Sequence, residues 1–388
     1  MKPFVFSTTK SIISEIGAVE RLADLCRQNQ INNPLVVTDQ GIVKVGLLSQ
    51  LLASFDKEGL SYHCFDQVIA DPPESLVLSA VTFAKEKAID GVIGFGGGSS
   101  LDTAKLVSLL ANSNENIADI YGVDQIKGKR LPLLLVPTTA GTGSEVTPIS
   151  IVTTGETTKA GVVSSELLPD VAILDAQLTV GLPKHVTAAT GIDAMVHAIE
   201  AYTSAVKKNP YTDLLAKEAL KLLSSNIEQA TFEGHDLSAR QNMLLGACLA
   251  GQAFANAPVA AVHALAYPLG GHFHIPHGLS NALVLIHVMR FNLSHASKLY
   301  AELAPYISDT INTNQADLNV AEDLIQYLSE LIKKLEIPTS LQSQGITKDD
   351  VETLATDAMK QTRLLVNNPK PVNLDDARHI YMQALNGY

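Results

Sequence analysis

Residues 91–105 read GVIGFGGGSSLDTAK. An apolar run ends in Gly96-Gly97-Gly98, and a helix-forming run opens at Ser99, giving a strand–loop–helix pattern. Backbone approaches a pyrophosphate closely only where side chains are absent, and a helix N-terminus offers free N–H groups with partial positive charge. The stretch therefore predicts an anion-binding turn within a βαβ unit. A plainer reading is a glycine-rich turn that only caps a helix, and Ser99 with Asp102 has the S-x-x-D form of a capping box. The G-x-G-x-x-G spacing is not met, because Ser99 stands at the last glycine position, and no acidic residue closes the next strand. Asp39 in VVTDQG ends an earlier strand instead. A carboxylate there either binds ribose hydroxyls and repels a 2′-phosphate, favouring NAD over NADP, or shapes the turn before Gly41.

Outward from this loop, residues 34–38, 61–69, 91–95, 132–136 and 171–174 read as strands, with helical spacing over 41–57 and 73–89. Such alternation predicts a largely parallel sheet in an α/β domain over 1–184. A second polar loop, PTTAGTGSE at 137–145, follows the strand at 132–136, at the end of the sheet where ligands bind. From Thr187 the chain turns Ala- and Leu-rich. Helices are predicted over 187–204, 211–229, 236–268, 279–290, 295–304, 320–335, 348–363 and 374–386, making 185–388 a helical domain. Without a low-complexity linker, the two domains are expected to pack closely around a ligand cleft.

The 388 residues are 46% hydrophobic and 18% charged, enough apolar material for sizeable cores. The charge balance, 28 − 40 = −12, argues against nucleic acid or an anionic membrane as partner. Cys26, Cys64 and Cys248 are scattered, so neither a disulfide framework nor a thiolate metal site is indicated. No signal peptide is legible, and no apolar run reaches the about 18–20 residues of a membrane span. A cytoplasmic protein is expected.

Residues 191–200 read GIDAMVHAIE. Asp193 and His197, four apart, share one helical face and bring a carboxylate oxygen and an imidazole nitrogen together. Residues 263–278 read HALAYPLGGHFHIPHG. On one continuous helix His263 and His277 would stand about 21 Å apart, too far to share an ion. Pro268, Gly270, Gly271 and Pro276 are expected to break the helix, fold the chain back and open a new helix at Pro276. One carboxylate and three imidazoles suit Fe(II), Zn or a similar divalent ion. His272 and His274 compete for the same role.

GFGGGSSLDTAK, PTTAGTGSEVT, the D-A-M-V-H pair, HALAYPLGGHFHIPHG and the ending NNPKPVNLDDARHIYMQAL closely resemble the iron-containing (group III) alcohol dehydrogenase family, in order along the whole chain. The resemblance implies a dehydroquinate synthase-like architecture: a nucleotide-binding α/β domain, then an all-α domain. It implies Fe(II), with Zn as alternative, on Asp193, His197, His263 and His277, leaving His272 and His274 outside. It places NAD against Asp39, Gly97, Gly98, Ser99, Asp102, Thr138 and Thr139, with Ser144, Lys159 and Leu182 nearby, and implies a homodimer. Many members carry a histidine, considered a proton relay, where this chain has Tyr267. Tyrosine, with an ordinary pKa near ~10, is a poorer shuttle at neutral pH, so Tyr267 reads as a pocket wall.

The expected reaction is hydride transfer between a small alcohol, or its aldehyde or ketone, and NAD(H), the metal polarising the substrate oxygen. Three rivals are a hydroxyacid dehydrogenase, a dehydroquinate-synthase-like lyase and an idle nucleotide-binding protein. The lyase acts on a phosphorylated sugar acid and calls for basic residues around the metal, yet 190–204 and 255–285 contain no Lys or Arg. That absence, with only 5% aromatic residues and no Trp, points to a small uncharged substrate.

Overall fold

The computed structural model describes residues 3–155 and 158–388. It divides the chain into two compact units. One comprises Ser7–Leu182 with His235–Leu245, and the other takes Pro183–Gly234 and Gly246–Tyr388 together with the N-terminal residues through Phe6.

In the first unit the strands are β1 (Ser11–Ser14), β2 (Pro34–Asp39), β3 (His63–Val68), β4 (Gly91–Gly96), β5 (Gly122–Val123), β6 (Leu133–Pro137), β7 (Ile149–Thr154), β8 (Thr158–Val163) and β9 (Val171–Leu174). Six form a parallel sheet in the order β1-β9-β6-β4-β2-β3. Successive side chains alternate between its faces. Leu35, Val37, Val92, Leu133 and Leu135 pack on one side with helices Glu74–Glu86 and Gly98–Asn112. Val36, Ile93, Phe95, Leu134 and Val136 pack on the other with Leu22–Gln28 and Leu47–Glu58. Each such side chain contributes about 1.5–3 kcal/mol by leaving water. A sheet covered on both faces reads as continuous apolar runs, which is why these strands were visible in the sequence.

The chain runs from β2 outward to β3, then returns past β2 to β4 on the other side. Its connections diverge at the adjacent C-terminal ends of β2 and β4, the kind of crevice where open α/β sheets bind ligands. Asp39 ends β2 and Gly96 ends β4.

Several elements differ from expectation. The helix expected over 41–57 is two, Gln40–Lys44 and Leu47–Glu58, parted where Gly46 takes φ 80°. β1 and the sheet β5-β8-β7 were not expected. β7 and β8 pair antiparallel, with Ile149 opposite Val163, Val152 opposite Ala160 and Thr153 opposite Lys159, and Val152 and Val162 are buried in the core beside the sheet. Residues 235–245, assigned by sequence to the helical domain, group with the sheet. There Gln241 donates to the Leu174 carbonyl (2.9 Å) and the Ser14 hydroxyl (2.8 Å) and accepts from the Ala176 N–H.

The second unit is built from helices, chiefly Lys184–Thr203, Pro210–Phe232, Ala261–Phe273, His277–Ile307, Asp317–Lys334, Val351–Ala358 and Leu374–Asn386. The helix expected over 236–268 stops at Asn256 and resumes at Ala261, beyond Pro258, which lacks an amide hydrogen. The two expected over 279–290 and 295–304 are one. Its polar middle is satisfied internally, since the Asn292 and Asn368 side chains exchange hydrogen bonds of 3.1 and 2.7 Å. Among the described residues no single helix is long and apolar enough to cross a membrane.

The expected break after His263 lies later than the sequence suggested. Helix Ala261–Phe273 continues through Pro268, Gly270 and Gly271, and ends only where His274 turns left-handed at φ 55°. Pro268 forfeits one hydrogen bond, while the surrounding Leu265, Ala266 and Leu269 are buried. At Gly270 a Cβ would make only an ordinary contact with the Ile275 carbonyl oxygen, at 3.5 Å, so the fold-back does not depend on a glycine there. Pro276 then caps the new helix, as expected.

Candidate metal centre and nucleotide site

Residues 191–203 of helix Lys184–Thr203 are all buried, so every polar side chain on this stretch must find a partner or a ligand. Asp193, His197 and Glu200 fall on one stripe of it, at spacings of four and three. His263 sits in the first turn of helix Ala261–Phe273, and His277 opens the next helix. The left-handed turn at His274 swings His277 back toward His263. Gly278 lets the new helix approach, since a Cβ there would stand 2.5 Å from the Ala189 carbonyl oxygen.

One donor atom each from Asp193, His197, His263 and His277 falls within 4.8 Å of all the others. His277 Nε2 is 3.6 Å, and His263 Nε2 3.9 Å, from Asp193 Oδ1. The His197 and His263 rings stack at 4.7 Å, and those of His263 and His277 meet at 5.3 Å. Three of the four residues are buried, while 42% of the His277 side chain is exposed. His272 lies outside the cluster, paired with Asp357 at 2.5 Å. His274 is used by the turn.

Two residues not singled out by sequence complete the cluster. The Asn281 amide donates to Asp193 Oδ1 (2.6 Å) and faces the Nε2 atoms of His263 (3.2 Å) and His277 (3.3 Å), so acceptor lone pairs converge on a partially positive group. Glu200 faces His263 Nδ1 at 2.7 Å. Burial alone would raise the Asp193 carboxyl, but the three imidazoles and the Asn281 amide outweigh it and hold it below its ordinary value. A buried carboxylate with three convergent imidazoles fits a divalent ion. Phe254 stacks on His197 at 4.3 Å, and Tyr267 tilts against His277 at 6.0 Å.

In the sheet unit the glycine loop has its own geometry. Gly96 takes φ 145°, and Gly97 is the N-cap of helix Gly98–Asn112 with no side-chain cap bond. The expected Ser99–Asp102 capping box is therefore not formed. Asp102 Oδ1 instead accepts from Ser144 Oγ (2.6 Å) and Lys105 Nζ (3.3 Å), and Oδ2 accepts from the Ile151 N–H. Lys105, fully buried, also donates to Ser144, Thr147 and the Ile149 carbonyl. Burial lowers its ammonium pKa against the pull of Asp102 and Glu145, and burial raises the Glu145 carboxyl to about 7.

Asp39 shapes the turn, one of the two readings made of it. Its Oδ1 caps the short helix by accepting from Gly41 and Ile42, and its Oδ2 accepts from Ser100 Oγ beside Gly96. The Thr138 N–H donates to the Gly96 carbonyl, and Thr139 is the nearest side chain to Gly97. Asp39, Gly97, Gly98, Ser99, Thr138 and Thr139 thus gather at the ends of β2, β4 and β6. Lys159 is held on β8, paired with Asp71 (2.5 Å) and donating to Thr153, and the Leu182 N–H is bound to the Thr179 carbonyl.

Residues 9–176 match the family model for iron-containing alcohol dehydrogenase, and residues 187–385 match the C-terminal model of the same family. The chain is 43% identical over 377 residues to long-chain-alcohol dehydrogenase 1 of Geobacillus thermodenitrificans, covering 96% of this chain and 94% of that one. It superposes on the crystal structure of a 1,3-propanediol oxidoreductase with a TM-score of 0.95 at 33% identity, covering 99% and 100% of the two chains. On a sulfoacetaldehyde reductase from Bifidobacterium kashiwanohense, solved in complex with NAD+, the TM-score is 0.88 at 28% identity, covering 99% of each chain. The chain belongs to the iron-containing alcohol dehydrogenase family.

Proposed function

We propose that this protein transfers a hydride between a small, uncharged alcohol and NAD, using Fe(II) held by Asp193, His197, His263 and His277. The convergence of those four donor atoms within 4.8 Å carries the reading. When bound, the ion supplies Lewis acidity toward the substrate oxygen, and the nicotinamide supplies the hydride acceptor.

The chain's own part is to hold and select. Phe254 and Tyr267 give the centre apolar walls, and the absence of Lys and Arg from 190–204 and 255–285 favours an uncharged substrate over a hydroxyacid. Gly97, Gly98 and Ser99 present the amides of a helix N-terminus to a pyrophosphate. Thr138 and Thr139 lie beside them, and the Asp39 carboxylate accepts ribose hydroxyls and repels a 2′-phosphate. Asp102 and Ser144 act through their bond to one another, bracing the two loops. Lys159 and Leu182 are assigned to the nucleotide by resemblance alone, as is a homodimer; a cytoplasmic location rests on the sequence reading.

The test compares metal-stripped protein with protein loaded anaerobically with Fe(II), following NADH formation on a panel of alcohols and hydroxyacids. Turnover is expected only after loading, with short alcohols preferred. Asp193→Ala and His263→Ala are expected to lose more than the about 10–100-fold that removal of a supporting residue costs. Near-normal rates in either variant, or in stripped protein, would refute the assignment.

A further inference from the structure

Glu200 is a buried carboxylate with 3% of its surface exposed, and no step above uses it. It shares a helix and a stripe with Asp193 and His197. Its Oε1 accepts the Val262 N–H at 2.7 Å, and its Oε2 stands 2.7 Å from His263 Nδ1. A carboxylate accepts and does not donate, so Nδ1 must carry the imidazole proton. The opposite ring nitrogen agrees independently. His263 Nε2 faces the Asn281 amide nitrogen at 3.2 Å, a donor already committed to Asp193, which requires a lone pair on Nε2.

We propose that Glu200 is a positioning residue for the metal centre, fixing His263 in the Nδ1–H tautomer so that Nε2 presents its lone pair to the ion. The proposal rests on the metal reading above. Metal-bound imidazoles commonly give their second N–H to a carboxylate, which orients the ring and raises its basicity. Here the same carboxylate also takes the neighbouring backbone amide, so both the ring and the helix turn that carries it are clamped.

Glu200→Gln is a sharp probe because it is nearly isosteric. Its single carbonyl oxygen can serve the Val262 N–H, a donor that cannot reverse, leaving its NH2 group toward Nδ1. His263 must then accept there and carry its proton on Nε2, where the ion should bind.

Fe(II) affinity is measured by anaerobic competition with a chromophoric chelator, for wild type, Glu200→Gln, His263→Ala and the double variant. Glu200→Gln is expected to bind Fe(II) about 10–100-fold more weakly while its metal-free melting temperature stays near that of wild type. In the His263→Ala background the same substitution should change affinity by less than about twofold, because a residue acting through His263 loses its effect when His263 is gone. Wild-type affinity in Glu200→Gln, or an equal loss in both backgrounds, overturns the proposal. Nitrogen NMR of histidine-labelled, metal-free wild type gives a check that needs no variant: Nδ1–H at His263 is expected, and Nε2–H overturns it. Should wild type and His263→Ala bind Fe(II) equally, the metal reading itself fails.

Discussion

On one carboxylate Asp39 combines a helix cap with the proposed contact to ribose, and the two can be separated. Its Oδ1 caps the helix Gln40–Lys44, while its negative charge stands at the crevice beside Gly96. Asparagine caps helices as well as aspartate but carries no charge. Asp39→Asn should therefore keep wild-type stability while the NADP-to-NAD ratio of kcat/KM rises about tenfold or more, about 1.4 kcal/mol of discrimination. An unchanged ratio would reduce Asp39 to a cap. The sequence showed the residue and both readings but could not choose, since a turn-forming and a ribose-binding aspartate end a strand alike. Asp193 and His197 were legible from type and spacing, while His263 and His277 were parted from their rivals His272 and His274 only by the family resemblance. Glu200 had a signal too, three residues beyond His197 on the same stripe, but Glu on a helix ordinarily reads as solvent-facing. Asn281 had none, because its place depends on how three helices meet.

Between β4 and the helix Gly98–Asn112, neighbouring glycines serve different needs. At Gly94 a Cβ would stand 2.6 Å from Leu135 and 2.8 Å from Ala104, so that glycine lets helix and sheet close together. At Gly97 a Cβ would meet nothing nearer than Thr139 at 3.9 Å, and φ is an ordinary −78°. Gly97→Ala should therefore fold, with a stability loss of about 1 kcal/mol or less from the weaker cap. Its Kd for NADH, read by fluorescence titration, should rise about tenfold or more, because the methyl fills the space a pyrophosphate needs. Unchanged affinity would mean the loop merely turns the chain. Elements were readable where burial is two-sided or the helical period is long. β7 and β8 were not, because Ser150, Thr153, Lys159 and Gly161 break up their short apolar runs, and the late break at His274 depends on packing that lets Pro268 stay helical.

At the scale of the whole helical unit, acid is the informative stress. His287 is buried within it, with the Tyr388 ring 5.5 Å away. Burial first, and the nearby Arg290 second, push its pKa down from 6.5 to about 4. Below 6.5 the unfolded chain takes up a proton that the folded chain refuses, so this contribution to stability is complete above 6.5 and is lost as pH falls toward 4. The loss attributable to His287 should reach about 2 kcal/mol by pH 5. Urea unfolding at pH 7 and pH 5 should show His287→Gln losing correspondingly less than wild type; equal losses would place the acid sensitivity elsewhere.

The uneven burial of the four donors has a consequence for timing. Three sit beneath the surface, and His277 alone stands at the rim. An ion leaves a four-point grip one contact at a time, and the first to yield is the one that water can replace without parting helices. On the proposed site, arrival and departure would pass by His277, and the residence time of the ion would follow the swing of a single imidazole instead of the opening of the fold.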